Sequence, residues 1–311
     1  MKTHILQTQQ WANFKSSYGN TAIKAGNIFY TKHKIPFTGY FYAYCPRVNP
    51  MEIDFLVLRE SLQKNKCIAC HLDVPNVVKG SAEEESALGI LNENCTPSPR
   101  DEFAKGNFIL DLTPSLDTIL NNMHPKQRYN IKLAEKKGAT LRKSEGIHKD
   151  LDIFHDLYVD TAKRQGYFYR SKSYFEKIIE AFGKDMVHIL VIEFEGEPLA
   201  SWMLFIHDNA LYYPYGGSST KNRNLQPNAL IGWEAIKFGK EHDCEYFDMW
   251  GAAYDLNNEK DPYYGFTDFK RKFGGTHVQY ISSYDLIINK TAYNLFNLAN
   301  SIRWKLLNLI R

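Results

Sequence analysis

The spacing of hydrophobic residues changes repeatedly between a helical and a strand-like period along the first half of the chain. Helical spacing occurs at residues 9–15 and 53–62. Strand-like runs occur at residues 28–31, 40–44, 67–74 and 108–112. This alternation predicts a layered structure of the α+β or mixed α/β class.

The second half shows the same mixture in a more definite order. Helices are predicted at residues 151–158, 174–179 and 229–236, and strands at 188–192, 211–213 and 246–250. A helix pair, antiparallel strands, a helix and a strand in this order resemble an acetyltransferase-like (GNAT) unit. The first half could be a degenerate copy of that unit, although no sequence repeat proves it.

These patterns predict two GNAT-like domains. We place the first at residues 1–145 and the second at residues 146–288, with a C-terminal helix at 289–311 that completes the first domain. The spacing of Leu295, Leu298, Ile302, Leu306 and Leu309 supports that helix. Its wide apolar face favours packing on the first domain over the alternative, a helix lying on a membrane surface.

A basic helix is predicted between the two halves. Residues 124–138 include Lys126, Arg128 and Lys132, and Gly138 is a candidate C-terminal cap. Such a helix could contact the phosphates of a nucleic acid or could simply face water. The hypothesis for these three basic residues is that they contact the phosphates of a nucleic acid, with tRNA as the candidate.

Composition narrows the class of protein. Of the 311 residues 44% are hydrophobic, which indicates a folded protein. The net charge of +3 is too weakly basic to identify a nucleic-acid binder. A secretory signal and a membrane-spanning run are not visible, so we expect a cytoplasmic protein with reduced cysteines. The Cys67-x-x-Cys70-His71 segment lies in a strand-like run without a second ligand pair, and we predict no metal site.

The segment 264–275 is the strongest candidate for catalysis. Lys270 lies between Phe269 and Phe273 and is followed by Gly274 and Gly275. A lysine held in this way could stabilise negative charge that develops during a reaction. The alternative is that the helix-like spacing of the phenylalanines makes them core anchors beside solvated basic residues.

The loop before the predicted helix at 229–236 argues against coenzyme A as a ligand. GNAT enzymes hold the pyrophosphate of acetyl-CoA with a glycine-rich loop at a helix N-terminus. Residues 218–228 contain no R-x-x-G-x-G pattern. An acetyltransferase is therefore the less favoured function.

Four blocks in this order resemble the FemABX family of peptidoglycan aminoacyltransferases. They are Trp-Ala-Asn-Phe-Lys at residues 11–15, the basic block at 126–138, Tyr-Pro-Tyr-Gly-Gly-Ser at 213–218 and Phe-Lys…Phe-Gly-Gly at 269–275. The resemblance covers nearly the whole chain. It implies two GNAT-like domains with an interdomain cleft, and transfer of an amino acid from aminoacyl-tRNA to the side-chain amine of the stem pentapeptide.

The resemblance also implies roles for individual residues. Lys15 and Arg170 match positions that contact the diphosphate of the cell-wall precursor, a group that cations bind well. Tyr174 and Tyr215 match positions that line the precursor site, although each could equally be a half-buried core tyrosine.

Two further positions concern the chemistry itself. Lys270 matches the family lysine near the reacting centre, and we expect it to stabilise the tetrahedral oxyanion. Asp73 matches an acidic position suggested as the base, and an aspartate that caps a turn at a strand end is the equally plausible alternative.

The implied partners are aminoacyl-tRNA and a precursor, either UDP-MurNAc-pentapeptide or its lipid-linked form. No organic cofactor is expected, and we expect a monomer with an optional peripheral contact at the inner face of the plasma membrane. The chain departs from some members because it lacks their heptad-rich helical arm, and Val48-Asn49 replaces a common Gly-Pro turn. An acyl-CoA N-acyltransferase and a non-catalytic precursor- or RNA-binding protein are the alternatives.

Overall fold

The structure, a computed structural model, describes residues 3–144, 146–261 and 263–310, with the backbone alone for residues 304–310. The chain forms two compact units. Unit 1 contains the residues up to Phe103 and those from Tyr280 onward, and unit 2 is Ala104–Gln279.

The secondary structure elements follow one another in mixed order. Up to Phe103 they are α1 (Gln9–Ser17), β1 (Thr21–Ala25), β2 (Ile28–Lys34), β3 (Phe41–Pro46), α2 (Phe55–Lys64), β4 (Cys67–Asp73), α3 (Glu84–Asn94) and β5 (Thr96–Pro97). Unit 2 contains β6 (Gly106–Asp111), α4 (Leu116–Asn122), α5 (Pro125–Lys136), β7 (Thr140–Leu141), α6 (Ile147–Gln165), α7 (Lys172–Phe182), β8 (Val187–Phe194), β9 (Glu197–His207), β10 (Ala210–Ser218), α8 (Pro227–Glu241), β11 (Tyr246–Ala252), α9 (Tyr264–Arg271) and β12 (Thr276–Gln279). The chain then adds β13 (Tyr284–Ile287) and α10 (Lys290–Ile310) to unit 1.

Each unit is built on one mixed sheet. The strand order is β1-β2-β3-β4-β13-β5 in unit 1 and β12-β6-β11-β10-β9-β8-β7 in unit 2. Within each sheet one pair of neighbouring strands is parallel, β3 with β4 and β10 with β11, and the other pairs are antiparallel. The expected mixed α+β class is confirmed.

The same succession of elements builds both sheets. Three antiparallel strands, a helix and a strand parallel to the third follow one another as β1-β2-β3-α2-β4 and as β8-β9-β10-α8-β11. The helix is required because two parallel neighbours need a crossover connection. The structure therefore shows at the level of topology the internal repeat that the sequence does not prove.

Side chains at the helix starts explain several boundaries. Asp54 accepts hydrogen bonds from the backbone N–H groups of Leu56 and Val57 at the start of α2. Ser115 accepts from Thr118 N–H at α4. These caps satisfy backbone donors that have no partner within the helix.

The predicted elements of regular spacing are confirmed, but several short ones were missed. The sequence patterns located α1, α2, α5 to α8, α10 and the strands β2, β3, β4, β6, β8, β10 and β11. They did not locate β1, α3, β5, β7, β12 or β13. None of the described helices combines the length and the apolar character that crossing a bilayer requires.

The units divide at other positions than the sequence patterns predict. Residues 104–145 belong to unit 2, largely because β6 pairs with β11 and β12. Residues 280–288 belong to unit 1 because β13 pairs with β4 and β5. Both pairings join strands that are far apart in sequence, which local spacing cannot reveal.

The core of unit 2 leaves no room for a side chain at Gly232 in α8. A Cβ atom built there would lie 2.3 Å from the Phe273 ring. Phe273 is fully buried. Gly89 in α3 provides a contrast, since a Cβ built there meets nothing within 4 Å.

We predict opposite effects of alanine at these two helical glycines. Gly232→Ala should lower the free energy of unfolding by about 1–3 kcal/mol because the core is overpacked. Gly89→Ala should raise it by up to about 1 kcal/mol because alanine favours the helix. Urea unfolding followed by circular dichroism measures both, and equal effects would contradict the close packing of Phe273 on α8.

Candidate active site

The parallel strands β10 and β11 separate towards their carboxyl ends. They pair at three positions, the last of which places Tyr212 opposite Asp248. The pairing of β11 with β6 is then irregular between Asp248 and Gly251. In β10, Pro214 has no N–H to donate. This separation leaves backbone groups of β11 available to a side chain.

The amine of Lys270 occupies the place that the strands leave open. Lys270 belongs to α9, and its Nζ donates a hydrogen bond of 2.7 Å to the carbonyl of Gly251 in β11. The residue is 7% exposed. The nitrogen also lies 5.9 Å from the ring centre of Tyr213 in β10. The lysine is thus held against both strands.

Aromatic side chains fix the surroundings of this lysine. The Tyr213 ring stacks on Trp202, with centres 3.7 Å apart and planes inclined by 19°. Phe269 meets Trp202 edge-on at 6.2 Å and Phe273 at 5.2 Å. The two phenylalanines are core anchors, as the alternative interpretation of segment 264–275 predicts, with Phe273 in the core and Phe269 packed against it. Lys270 between them is buried and not solvated.

Burial controls the ionisation of Lys270. It lowers the pKa of the amine to about 7, and the negative charge of Asp248 acts in the opposite direction. Asp248 is itself held by 2.7 Å hydrogen bonds from Asn107 Nδ2 and the backbone N–H of Trp250. Near neutral pH the lysine can therefore carry its charge or lose it, a property typical of functional sites.

A second cluster of unit 2 joins three of the residues expected at the precursor site. The hydroxyls of Tyr174 and Tyr215 are 2.9 Å apart, and Phe175 meets both rings edge-on. The exposed Arg170 holds its guanidinium 5.1 Å from the Tyr174 ring centre. Burial and the neighbouring Tyr174 raise the pKa of Tyr215 well above its usual value, so its hydroxyl stays protonated. Tyr215 and Tyr213 lie on the same strand, which links this cluster to the lysine.

Lys15 lies in unit 1 at the last turn of α1. Its Nζ is 5.9 Å from the ring centres of Trp11 and Phe14. The side chain is half-buried. The Trp-Ala-Asn-Phe-Lys block is thus a helix turn in which the rings support the alkyl stem of a lysine.

Asp73 lies at the end of β4 in unit 1 and is fully buried. It accepts hydrogen bonds from Tyr44 Oη at 2.6 Å and Ser283 Oγ at 3.1 Å. It also accepts from the backbone N–H groups of Glu102 and Phe103 at 3.0 and 3.3 Å. These contacts favour the structural alternative for Asp73, in which the carboxylate ties a loop to a strand end.

His71 completes a buried ionic group with this aspartate. Its Nδ1 lies 2.7 Å from Asp285, and its Nε2 lies 3.5 Å from Asp73. Burial opposes a charged imidazole, but the two carboxylates outweigh it and raise the pKa of His71 to about 9. Burial likewise opposes charge on the carboxylates, yet hydrogen bonds from His71 and their other partners lower the pKa of both Asp73 and Asp285. A carboxylate stabilised in its charged form is a weak base.

The three candidate tRNA contacts differ in their surroundings. Lys126 and Lys132 are exposed on α5. Arg128 donates to the carbonyls of Asn121 and Met123 at 2.8 and 2.5 Å. It therefore binds carbonyls at the C-terminal end of α4, a common structural role for arginine.

Several residues of these sites were not identified from the sequence. The stretch 246–250 was recognised as a strand, but nothing marked Asp248 as the charge beside Lys270. Asp285 is 214 positions from His71, and no local signal connects them. Tyr213 belongs to the Tyr-Pro-Tyr-Gly-Gly-Ser block at residues 213–218. The adjacent Pro214 has no N–H, and this is the feature of the sequence that indicates where strand pairing ends.

The sequence model of the FemAB family matches this chain at residues 102–195 and 191–301. The two matches together cover more than half of the 311 residues. The chain belongs to the FemAB family.

Two staphylococcal enzymes are among the proteins similar to this chain. Lipid II:glycine glycyltransferase of Staphylococcus epidermidis RP62A is 22% identical over 241 residues, which are 58% of this chain and 57% of the relative. The enzyme of that name from Staphylococcus aureus is 22% identical over 246 residues, 58% of each chain. This chain therefore matches less than two thirds of the length of these relatives.

The fold of this chain is similar to those of solved structures. The crystal structure of FemX superimposes with a TM-score of 0.82 at 20% identity and covers 94% of both chains. L-PGS from Bacillus licheniformis gives a TM-score of 0.56 at 13% identity and covers 87% of this chain and 84% of its own. At these identities the likeness concerns the fold alone.

We predict that Lys270 makes stability depend on pH. Above pH 7 the folded protein releases a proton that an unfolded lysine, with a pKa near 10.4, still binds. The free energy of unfolding should therefore rise between about pH 7 and 10, by at most about 1.4 kcal/mol per pH unit. Urea unfolding of the parent and of Lys270→Met measures the difference.

Arg271→Met is the matched control, because it replaces the neighbouring basic residue of the same helix, whose side chain is exposed. Its stability should follow the parent at every pH. A parent and a Lys270→Met protein with parallel pH profiles would contradict a lowered pKa at Lys270.

Proposed function

We propose that this protein is a tRNA-dependent aminoacyltransferase that acts on a peptidoglycan precursor. The donor is aminoacyl-tRNA, and the acceptor is the free side-chain amine of the stem pentapeptide. The observation that carries the proposal is the enclosed amine of Lys270, fixed on Gly251 where β10 and β11 separate. The family membership supports it, and so do the relatives named Lipid II:glycine glycyltransferase.

The chemistry requires little from the protein beyond positioning and charge stabilisation. The acceptor nitrogen attacks the carbonyl carbon of the ester, and a tetrahedral oxyanion forms. Collapse breaks the bond to the ribose oxygen, which leaves as a hydroxyl after taking up a proton, while the nitrogen loses one and becomes an amide. Because the ester is already activated, orienting the substrates and stabilising the oxyanion supply most of the rate enhancement.

Lys270 suits the oxyanion role in its charged form. The Gly251 carbonyl accepts a hydrogen bond from the ammonium group of Lys270 and so fixes the direction of that group. The low-polarity surroundings that lower its pKa also strengthen its attraction for a developing oxyanion. The charge that forms in the transition state favours the protonated lysine over the neutral one.

We assign recognition of the precursor to Arg170, Tyr174, Tyr215 and Lys15. Arg170 can bind phosphate oxygens through two parallel N–H groups, and Tyr174 beside it supports its guanidinium. Tyr215 presents a protonated hydroxyl to Tyr174 in the same cluster. Lys15 supplies a further cation for the diphosphate.

The start of α8 favours this donor over an acyl-CoA. Pro227 is the first residue of the helix and lacks an N–H, and Asn222 and Gln226 before it adopt left-handed backbone conformations. A pyrophosphate site at a helix N-terminus needs a run of backbone N–H groups directed at the ligand. This loop offers fewer such donors than a glycine-rich loop does.

We predict transfer from charged tRNA and its loss in Lys270→Met. The protein is offered a mixture of charged tRNAs with the nucleotide-linked and lipid-linked precursors, and product masses identify the amino acid and the acceptor. Lys270→Met should lower kcat by about 10² to 10³ with little change in KM, because the oxyanion exists only after substrate binding. The ratio of parent to variant kcat should fall above about pH 7, as Lys270 loses its charge.

Ionisation of the acceptor amine changes kcat of the parent and of the variant equally. Its effect is therefore absent from the ratio of the two kcat values. Arg271→Met, one position further along α9, is the control and should retain nearly full activity. A ratio that rises with pH would instead identify Lys270 as a base. Product with CoA thioesters and none with tRNA would overturn the donor assignment.

We predict that Lys126 and Lys132 contact tRNA through its phosphates. Lys126→Ala and Lys132→Ala should each weaken binding of any tRNA and reduce the slope of log K against log salt by about 1. Arg128→Ala should mainly lower stability, because Arg128 binds carbonyls of the α4 end. Salt titrations of fluorescent tRNA binding measure the slopes, and an unchanged slope in both lysine variants would exclude α5 as the contact.

A further inference from the structure

The helix α10 of unit 1 has apolar residues on two sides. On one side Ala292, Tyr293 and Phe296 pack with Tyr42 and Ile35 in a small cluster of the sheet. On the other side Leu295, Leu298 and Ile302 are 63%, 59% and 51% exposed. Their spacing of three and four residues places them on one face of the helix. The packing expected of this helix is present, and a second apolar face remains uncovered.

The loop between β2 and β3 presents another uncovered apolar residue. Phe37 is fully exposed, and its φ of +62° is a conformation that phenylalanine rarely adopts. The loop is closed by a 3.0 Å hydrogen bond from Ile35 N–H to the Tyr40 carbonyl. Such a conformation has an energetic cost that a functional requirement would explain.

The loop and α10 are neighbours. Ile35 at the start of the loop packs in the same cluster as Tyr293 and Phe296 of α10. Arg100 adds a cation beside them, with its Nη1 3.2 Å from Asn297 Oδ1 and its guanidinium 5.7 Å from the Phe296 ring centre. Its Nε also lies 3.4 Å from a carboxylate, that of Glu102.

Charge is segregated in these two segments. The chain as a whole is nearly balanced, with 38 basic and 35 acidic residues. Residues 290–311 nevertheless contain four basic residues and no Asp or Glu, and residues 32–41 contain Lys32 and Lys34 and no acidic residue. The side chains of residues 304–311, among them Leu306 and Leu309, lie outside the described part of the structure.

These observations point to one kind of partner. A fully exposed aromatic residue on a loop and an apolar helix face, in two segments that contain basic but no acidic residues, match the boundary between headgroups and acyl chains of an anionic bilayer. We propose that Phe37 and the face of α10 formed by Leu295, Leu298 and Ile302 form a docking surface for anionic lipid. This surface binds without either substrate, so it can be tested apart from the proposed transfer reaction.

The test measures co-sedimentation of the full chain with two kinds of vesicle, one of phosphatidylcholine alone and one containing phosphatidylglycerol. The parent should bind the anionic vesicles at low salt, and binding should weaken as salt rises. The double variant Leu295→Gln/Leu298→Gln and the variant Phe37→Asn should each bind about tenfold or more weakly, since each removes apolar surface from the bilayer contact. Glutamine keeps the helix propensity, and asparagine tolerates the positive φ at residue 37.

Leu56→Gln is the matched control, because Leu56 is 76% exposed on α2 of the same unit. It should bind vesicles like the parent. The proposal is overturned by a parent that does not bind anionic vesicles at low salt, or by variants that bind as well as Leu56→Gln. A parent dimer in light scattering that the double variant converts to monomer would assign the face to a second copy of the chain instead.

Discussion

The separation of β10 from β11 is the constraint on which the candidate active site depends. Two parallel strands that paired along their full length would satisfy their own carbonyls and leave no acceptor for a side chain. Here the pairing stops after Tyr212 and Asp248, and Gly251 accepts from Lys270 instead. The helix α9 follows β11 closely in the sequence. The side chain of Lys270 in α9 can therefore reach a carbonyl of β11.

Two buried groups that can carry positive charge, His71 and Lys270, show opposite consequences of burial. His71 lies between two carboxylates, and these hold it in the charged form. Lys270 has a neutral carbonyl as its hydrogen-bond acceptor, and the charge of Asp248 only partly offsets the effect of burial on its pKa. A paired buried charge stabilises one state of the protein, whereas a group close to its pKa can change state during a reaction. This difference favours a structural role for the His71 group and a chemical role for Lys270.

Local patterns in the sequence predicted the elements that depend on local interactions. The capped helix α5, the long α6 and the strand β4 follow from spacing and from residues such as His124 and Pro125. The aromatic residues and paired glycines around Lys270 indicated that residue, and the family resemblance supplied Tyr174 and Tyr215, whose hydroxyls the structure places in contact. What the sequence could not supply are interactions between distant segments. The pairing of β13 with β4 and the bond of His71 to Asp285 each depend on residues more than 200 positions apart, and they also shift the boundaries of the two units.

A lipid-docking surface would make encounters between the protein and a lipid-linked acceptor more frequent. A lipid-linked precursor is confined to a thin layer, so an enzyme that rests on the same surface meets it at a much higher effective concentration than one that diffuses in bulk water. Reversible attachment suits this purpose, because the proposed donor, aminoacyl-tRNA, would still be collected from solution. A few exposed apolar side chains with surrounding cations give attachment of that strength, whereas an inserted helix would make it effectively permanent. The exposed face of α10 and the proposed reaction are therefore compatible, although neither requires the other.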